Sequence, residues 1–211
     1  MATSTVCAVL RRLGLHRLSR LEAPEPPNRY CRRHPGELIH IDVKKLGRFD
    51  APGHRATGRG SHHRSNKPGW DYCHVAIDDT SRLAYVEILP DETATSCVAF
   101  LRRAIAFYAS FGVNVERVMT DNGTGYRSKA HAATIAELGI RHLRTRPYRP
   151  RTNGKAERFI QTLLREWAYA AVYNNDTHRR HALPPWLEYY NYRRPHSALS
   201  HKTPASLIQA D

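Results

Sequence analysis

The sequence predicts an α/β domain, a mixed five-stranded sheet with helices on both faces. Two patterns predict it. Alternating apolar residues mark three consecutive strands between residues 37 and 89. Helical periodicity then alternates with two further short strands as far as residue 143. Strands in a meander followed by strands separated by helices make a mixed sheet that must be covered twice.

The first strand is ELIHIDVKKLG, where alternation sets Ile39, Ile41 and Val43 on one face and Leu38, His40 and Asp42 on the other. WDYCHVAIDD and RLAYVEIL follow, joined through the turn residues Asp78 to Ser81 as a hairpin. A helix over 94–110 aligns Val98, Leu101, Ile105 and Tyr108 on one side. VERVMTDNG is the fourth strand, stopped by Asp121, Asn122 and Gly123. A helix over 129–138 and a strand over 140–143 come next, then a proline-interrupted loop and a long helix over 154–171. The tail holds another helical segment, YNYRRPHSAL and a short TPASLI. Ahead of this core, residues 1–20 read as a helix with Val6, Val9, Leu10 and Leu13 in phase, and residues 21–35 as a proline-rich linker. Residues 47–70 form a loop rich in Gly, His and Arg.

Charge narrows the partners. Lys and Arg number 33 against 19 Asp and Glu, a net charge of +14 with histidine neutral. Such an excess points to polyanions, nucleic acid first, because each neutralised phosphate releases counterions. It is concentrated: residues 141–158 hold seven basic side chains against Glu157 alone. No apolar run approaches the roughly 20 residues of a membrane span, so no membrane partner is expected. Cys7, Cys31, Cys73 and Cys97 form no CxxC pair, which disfavours both disulfides and zinc. Reduced thiols and a cytoplasmic, nucleoid-associated location are the expectation.

Three carboxylates then stand out. Asp42 lies in mid-strand on a sheet covered on both faces, where an unpaired charge is costly. Asp121 ends an apolar strand at a glycine turn, a place where ligands of open α/β sheets gather. At about 100° per residue, Ala156, Phe159, Ile160, Leu163, Leu164 and Trp167 share one helical stripe, and Glu157 sits at its flank. Each has a structural reading: turn chemistry for Asp121, the helix dipole for Glu157. Asp78 and Asp79 are rival carboxylates that turn chemistry explains. His40 and His74 read as packed strand residues, and Trp167, Trp186 and the tail tyrosines as core.

Taken together, HID on the first strand, TDNG and NGKAER, with thirty-five residues separating Asp121 from Glu157, and the tail YNYRRPHSALSHKTP resemble the catalytic core of retroviral-type integrases. The closest likeness is to bacterial insertion-sequence transposases with such a core, over about residues 35–208. The resemblance implies a ribonuclease-H-like fold, in which the first strand lies beside the fourth and the long helix brings Glu157 over both aspartates. It further implies that Asp42, Asp121 and Glu157 are the catalytic residues and ligands of two Mg2+ ions about 3.5–4 Å apart, with Mn2+ as substitute. The implied activity is cleavage at the 3′ end of a mobile element and strand transfer into target DNA, by a homo-oligomer on DNA. Lys155 and Arg158, then Arg149 and Arg151, are the expected DNA contacts. Asn153 either caps the helix or touches a phosphate, capping being the stronger reading. Related enzymes carry helix-turn-helix modules before the core, and TSTVCAVLRRLGL looks like the last helix of one. The alternative expectation is therefore a truncated, catalytically silent DNA-binding remnant.

Overall fold

A computed structural model describes residues 2–16, 31–52, 69–145 and 153–208 of the 211-residue chain. The chain forms two compact units, Met1–Tyr30 and Cys31–Asp211. In the first, helix α1 (Thr3–Arg12) buries none of its side chains, and Val6, Val9 and Leu13 stay exposed.

The second unit is built on five strands: β1 (Ile39–Gly47), β2 (Trp70–Asp78), β3 (Ala84–Leu89), β4 (Arg117–Thr120) and β5 (Arg141–Arg144). Their order is β3-β2-β1-β4-β5. The meander pairs antiparallel, while β4 runs parallel to both β1 and β5. Helix α2 (Ala94–Ser110) and helix α3 (Lys129–Glu137) start at side-chain caps. Thr93 accepts from the Ser96 amide at 3.5 Å and Ser128 from the His131 amide at 3.1 Å. Each cap satisfies an orphan N–H of the first turn and so sets the helix start.

The two faces of β1 part company as its alternation requires. Ile39 and Ile41 join the core under α2 and α3 with Phe100, Leu101 and Tyr108. The opposite face belongs to α4 (Gly154–Leu163), whose Ala156, Phe159, Ile160 and Leu163 pack with Val75, Ile77 and Val86. Helices α5 (Asp176–His181) and α6 (Leu183–Tyr192) complete that layer.

Several element boundaries differ from the sequence expectation, those of the fifth strand and the long helix among them. The fifth strand is displaced by one residue, to Arg141–Arg144. The helix expected to run to residue 171 is α-helical only to Leu163 and passes into a π-helical turn over Leu164–Ala168. The wider turn shifts the phase of the apolar stripe, and Trp167 is buried with its Nε1 donating to the Arg179 carbonyl at 2.9 Å. That tertiary bond lies outside any periodicity of the helix itself.

Candidate active site

Asp42 and Asp121 are brought together by backbone register. The parallel ladder pairs Ile39 with Val118 and His40 with Met119. The same offset carries Asp42 onto Asp121, just past the end of β4. Pairing stops short of the two acids, where like charges set opposite each other would repel. Each aspartate is steered by a backbone amide downstream. Asp42 Oδ1 accepts from the Val43 N–H at 2.8 Å, and Asp121 Oδ1 from the Gly123 N–H at 2.9 Å.

Both acids line a cleft of about 250 Å³ with Glu92, Cys97, Thr124 and Tyr126. Its electrostatics are those of crowded carboxylates. Burial, then the charges of Asp121 and Glu157, raise the Asp42 pKa to about 6 against the opposing Val43 bond. Burial and the neighbouring Glu92 and Asp121 push the Cys97 thiol up to about 11. The Tyr126 hydroxyl is buried without a hydrogen-bond partner among the described residues. Among the described residues no Lys or Arg lines this cleft.

Glu157 occupies the first turn of α4 and is exposed. Its charge reaches Asp42, yet its side chain does not line the cleft. Among the described residues no three His, Cys, Asp or Glu side chains are gathered closely enough to enclose a metal ion. Two aspartate oxygens, an orphaned hydroxyl and the absence of a lining cation nevertheless suit a hard divalent cation better than an anion.

The start of α4 is fixed by a buried polar network centred on Asp79. His40 Nε2 meets Asp79 Oδ1 at 2.8 Å, Lys155 Nζ lies 2.5 Å from Asp79 Oδ2, and the Arg32 N–H donates to Oδ2 at 2.7 Å. Burial alone would raise the Asp79 pKa. The bonds from His40, Lys155 and Arg32 outweigh it and hold the carboxyl down at about 2. Asp78, also fully buried, takes the turn amides of Thr80 and Ser81 and the Gly36 N–H, as turn chemistry expects.

Asn153 corrects the capping reading. It stands at the N-cap of α4 but its side chain makes no cap bond. Its Oδ1 lies 3.0 Å from His40 Nδ1, its Nδ2 donates to the Ile41 carbonyl at 3.2 Å, and the residue is buried. It thus straps the helix to β1 beside Asp42. Lys155 is half-buried against Asp79, and Arg158 is exposed. Arg149 and Arg151 lie outside the described residues. Sequence reading missed Glu92, Cys97 and Tyr126, because they enter the cleft through the packing of α2 and of the loop after β4.

The comparisons with known proteins agree with this architecture. Models of the integrase core domain match residues 32–150 and residues 138–204. An insertion element IS476 protein of Xanthomonas euvesicatoria is 26% identical over 207 residues, covering 92% of this chain and 60% of that protein. The transposase of insertion sequence element IS904 from Lactococcus lactis is 32% identical over 88 residues, covering 41% of this chain and 35% of that protein. The chain thus spans less than two thirds of the length of these relatives. Among solved structures, a subunit of the simian T-cell lymphotropic virus intasome superposes with a TM-score of 0.65 at 22% identity, over 100% of this chain and 68% of that one. The HTLV-2 integrase catalytic core in complex with magnesium superposes with a TM-score of 0.52 at 19% identity, over 82% of this chain and 97% of that one. Family match, strand order and fold likeness lead to one conclusion: the chain belongs to the integrase core family and has its ribonuclease-H-like fold.

Proposed function

We propose that this chain is the catalytic core of a DNA transposase or integrase that cuts the 3′ end of a mobile element and transfers the strand into target DNA. One observation carries the reading: Asp42 and Asp121 stand in register at the mouth of two adjacent parallel strands, in one acidic cleft. Family membership, the magnesium named for the HTLV-2 core and the transposase name of the Lactococcus relative support it.

Asp42 and Asp121 would hold the metal through their outward oxygens, and Glu157 would complete the set from the first turn of α4. Two Mg2+ ions, replaceable by Mn2+, would supply positive charge at the attacking and leaving oxygens of an in-line displacement. The protein needs no side chain as covalent nucleophile. Its part is to orient the carboxylates through the Val43 and Gly123 amides and to hold α4 in place through Asn153 and Asp79. Arg158 faces solvent beside Glu157, where a DNA phosphate can meet it. By the same reading residues 1–20 belong to a helix-turn-helix module, residues 21–35 are a linker, most of it outside the described residues, and residues 36–211 are the core, acting as an oligomer on paired DNA ends.

The test is purified protein with element-end DNA in Mg2+ or Mn2+, scored for nicked and joined strands. Asp42→Asn, Asp121→Asn and Glu157→Gln should each lower joining by about a hundredfold or more, while DNA binding and folding persist. The Asn variants are clean probes because Oδ1 of the amide still accepts the Val43 or Gly123 N–H. Full activity in any one variant removes that residue from the set. Nicking without joining would make the protein a nuclease. Binding without turnover in either metal would make it a silent DNA-binding remnant.

A further inference from the structure

A second cleft, of about 220 Å³, opens between α4 and the tail segment after α6. Its walls carry four cationic side chains: Lys155 and Arg158 from α4, Arg82 from the β2–β3 turn, and Arg194 from the tail. Among the described residues no Asp or Glu lines it. Two of the four cations have carboxylate partners behind the wall: Lys155 with Asp79, and Arg194 with Glu166 at 2.7 and 2.8 Å. Arg82 donates to the Asp79 carbonyl, and Arg158 donates to Gln161 at 3.3 Å. Gly154, the first residue of α4, also lines the cleft, so the positive end of the helix opens into it.

Two features set this cleft apart from a solvated basic face. Arg82 holds φ at +65°, a left-handed conformation that is unfavourable for a residue with a Cβ and that Gly or Asn would occupy more cheaply. The strained backbone places a guanidinium at the same cleft as Arg194. The charges also oppose one another. Burial and then the charge of Arg194, with a further contribution from Arg82, lower the His196 pKa, and His196 lines the cleft. Burial lowers that of Lys155 too, with Arg82 adding to the effect against the Asp79 bond. An anion seated among these groups would relieve that repulsion.

We propose that this cleft is a phosphate-binding site, separate from the acidic cleft, that grips a backbone phosphodiester of bound DNA through Arg82, Arg158 and Arg194. The proposal deepens the DNA-processing reading and rests on it for the identity of the polyanion. It gives the YRRPH stretch of the tail a role, with Arg194 as a phosphate ligand and His196 as part of the wall. A strand held here would lie along the flank of α4 that carries Lys155 and Arg158.

The experiment measures binding of a fluorescent duplex oligonucleotide to the full chain by anisotropy, in EDTA, across a series of salt concentrations. The probe variant is Arg82→Asn with Arg158→Gln; Asn suits the left-handed backbone and Arg158 is exposed, so both should fold. The control is Arg102→Gln with Arg103→Gln, which removes the same charge from exposed positions on α2. The probe variant should bind about tenfold more weakly than the control, the worth of one charge-assisted contact. Its slope of log K against log salt should be shallower than the control's by about one, as one lost phosphate contact requires. Equal slopes and affinities in probe and control overturn the proposal. So does a cleft that takes only small anions, with inorganic phosphate raising the melting temperature of the wild type but not of the probe variant while the DNA slopes match. Because no divalent ion is present, the result is independent of catalysis. Loss of the slope difference leaves nicking unaffected, and absence of nicking leaves the slope difference standing.

Discussion

Asp42 is the residue through which pH reaches the acidic cleft. Burial, reinforced by Asp121 and Glu157, lifts its pKa from an ordinary 3.8 to about 6, so the folded protein keeps a proton that the unfolded chain releases. The contribution of this group to stability is therefore present below pH 4 and is lost as pH rises through 6. In EDTA, Asp42→Asn should raise the melting temperature relative to wild type at pH 8 and change it little at pH 4.5. Adding Mg2+ at pH 8 should stabilise the wild type and not the variant. Thermal melts at the two pH values check both, and an identical Asn effect at each pH would remove the charge crowding. Asp79 behaves in the opposite way, held low by partners that need its charge. Asp79→Ala would strand His40 and Lys155 and should cost about 3 kcal/mol of stability by denaturant titration, as removal of one member of a buried pair does. Of these residues the sequence made Asp42 legible, since a carboxylate in mid-strand needs a reason. It presented Asp79 as a turn residue only, because its partners lie 39, 47 and 76 positions away.

At the scale of the elements, legibility followed local chemistry. The bounds of α2 were readable to the residue, and those of α3 to within one, because Thr93 and Ser128 are caps followed by clear periodicity. The end of α4 was not, since the π-helical turn goes with a tertiary bond, from Trp167 to the Arg179 carbonyl, that no local pattern encodes. The loop after β4 is shaped by contact rather than by turn propensity. A Cβ on Gly125 would come within 2.6 Å of Cys97 Sγ and 2.7 Å of the Glu92 carbonyl. Gly125→Ala should therefore push this loop away from the start of α2 and widen the acidic cleft. The expected result is a destabilised protein whose melting temperature no longer rises with Mg2+. A variant that keeps the full Mg2+ shift would show that the close packing here is not needed for the cleft.

For the whole molecule, the order β3-β2-β1-β4-β5 sets β1 beside β4, so that Asp42 and Asp121 share one cleft with no Lys or Arg among its described lining residues. The meander and the later alternation of helices and strands made a mixed sheet covered on both faces legible, since periodicity is a property of contiguous residues, but the placing of β1 beside β4 came only from the resemblance. The convergence of α4 on β1 was reached through resemblance alone, because no local pattern encodes the Asn153 strap. Stopping the β1–β4 ladder before its aspartates also has a dynamic consequence. The strands form a fork whose tines are held apart by their own negative tips, so the open end should breathe more than the shaft. A doubly charged ion lodged between the tips would act as the missing rung. Its arrival should be visible as slowed hydrogen exchange at the Val43 and Gly123 amides, while Ile39 and His40, already laced into the ladder, exchange as before.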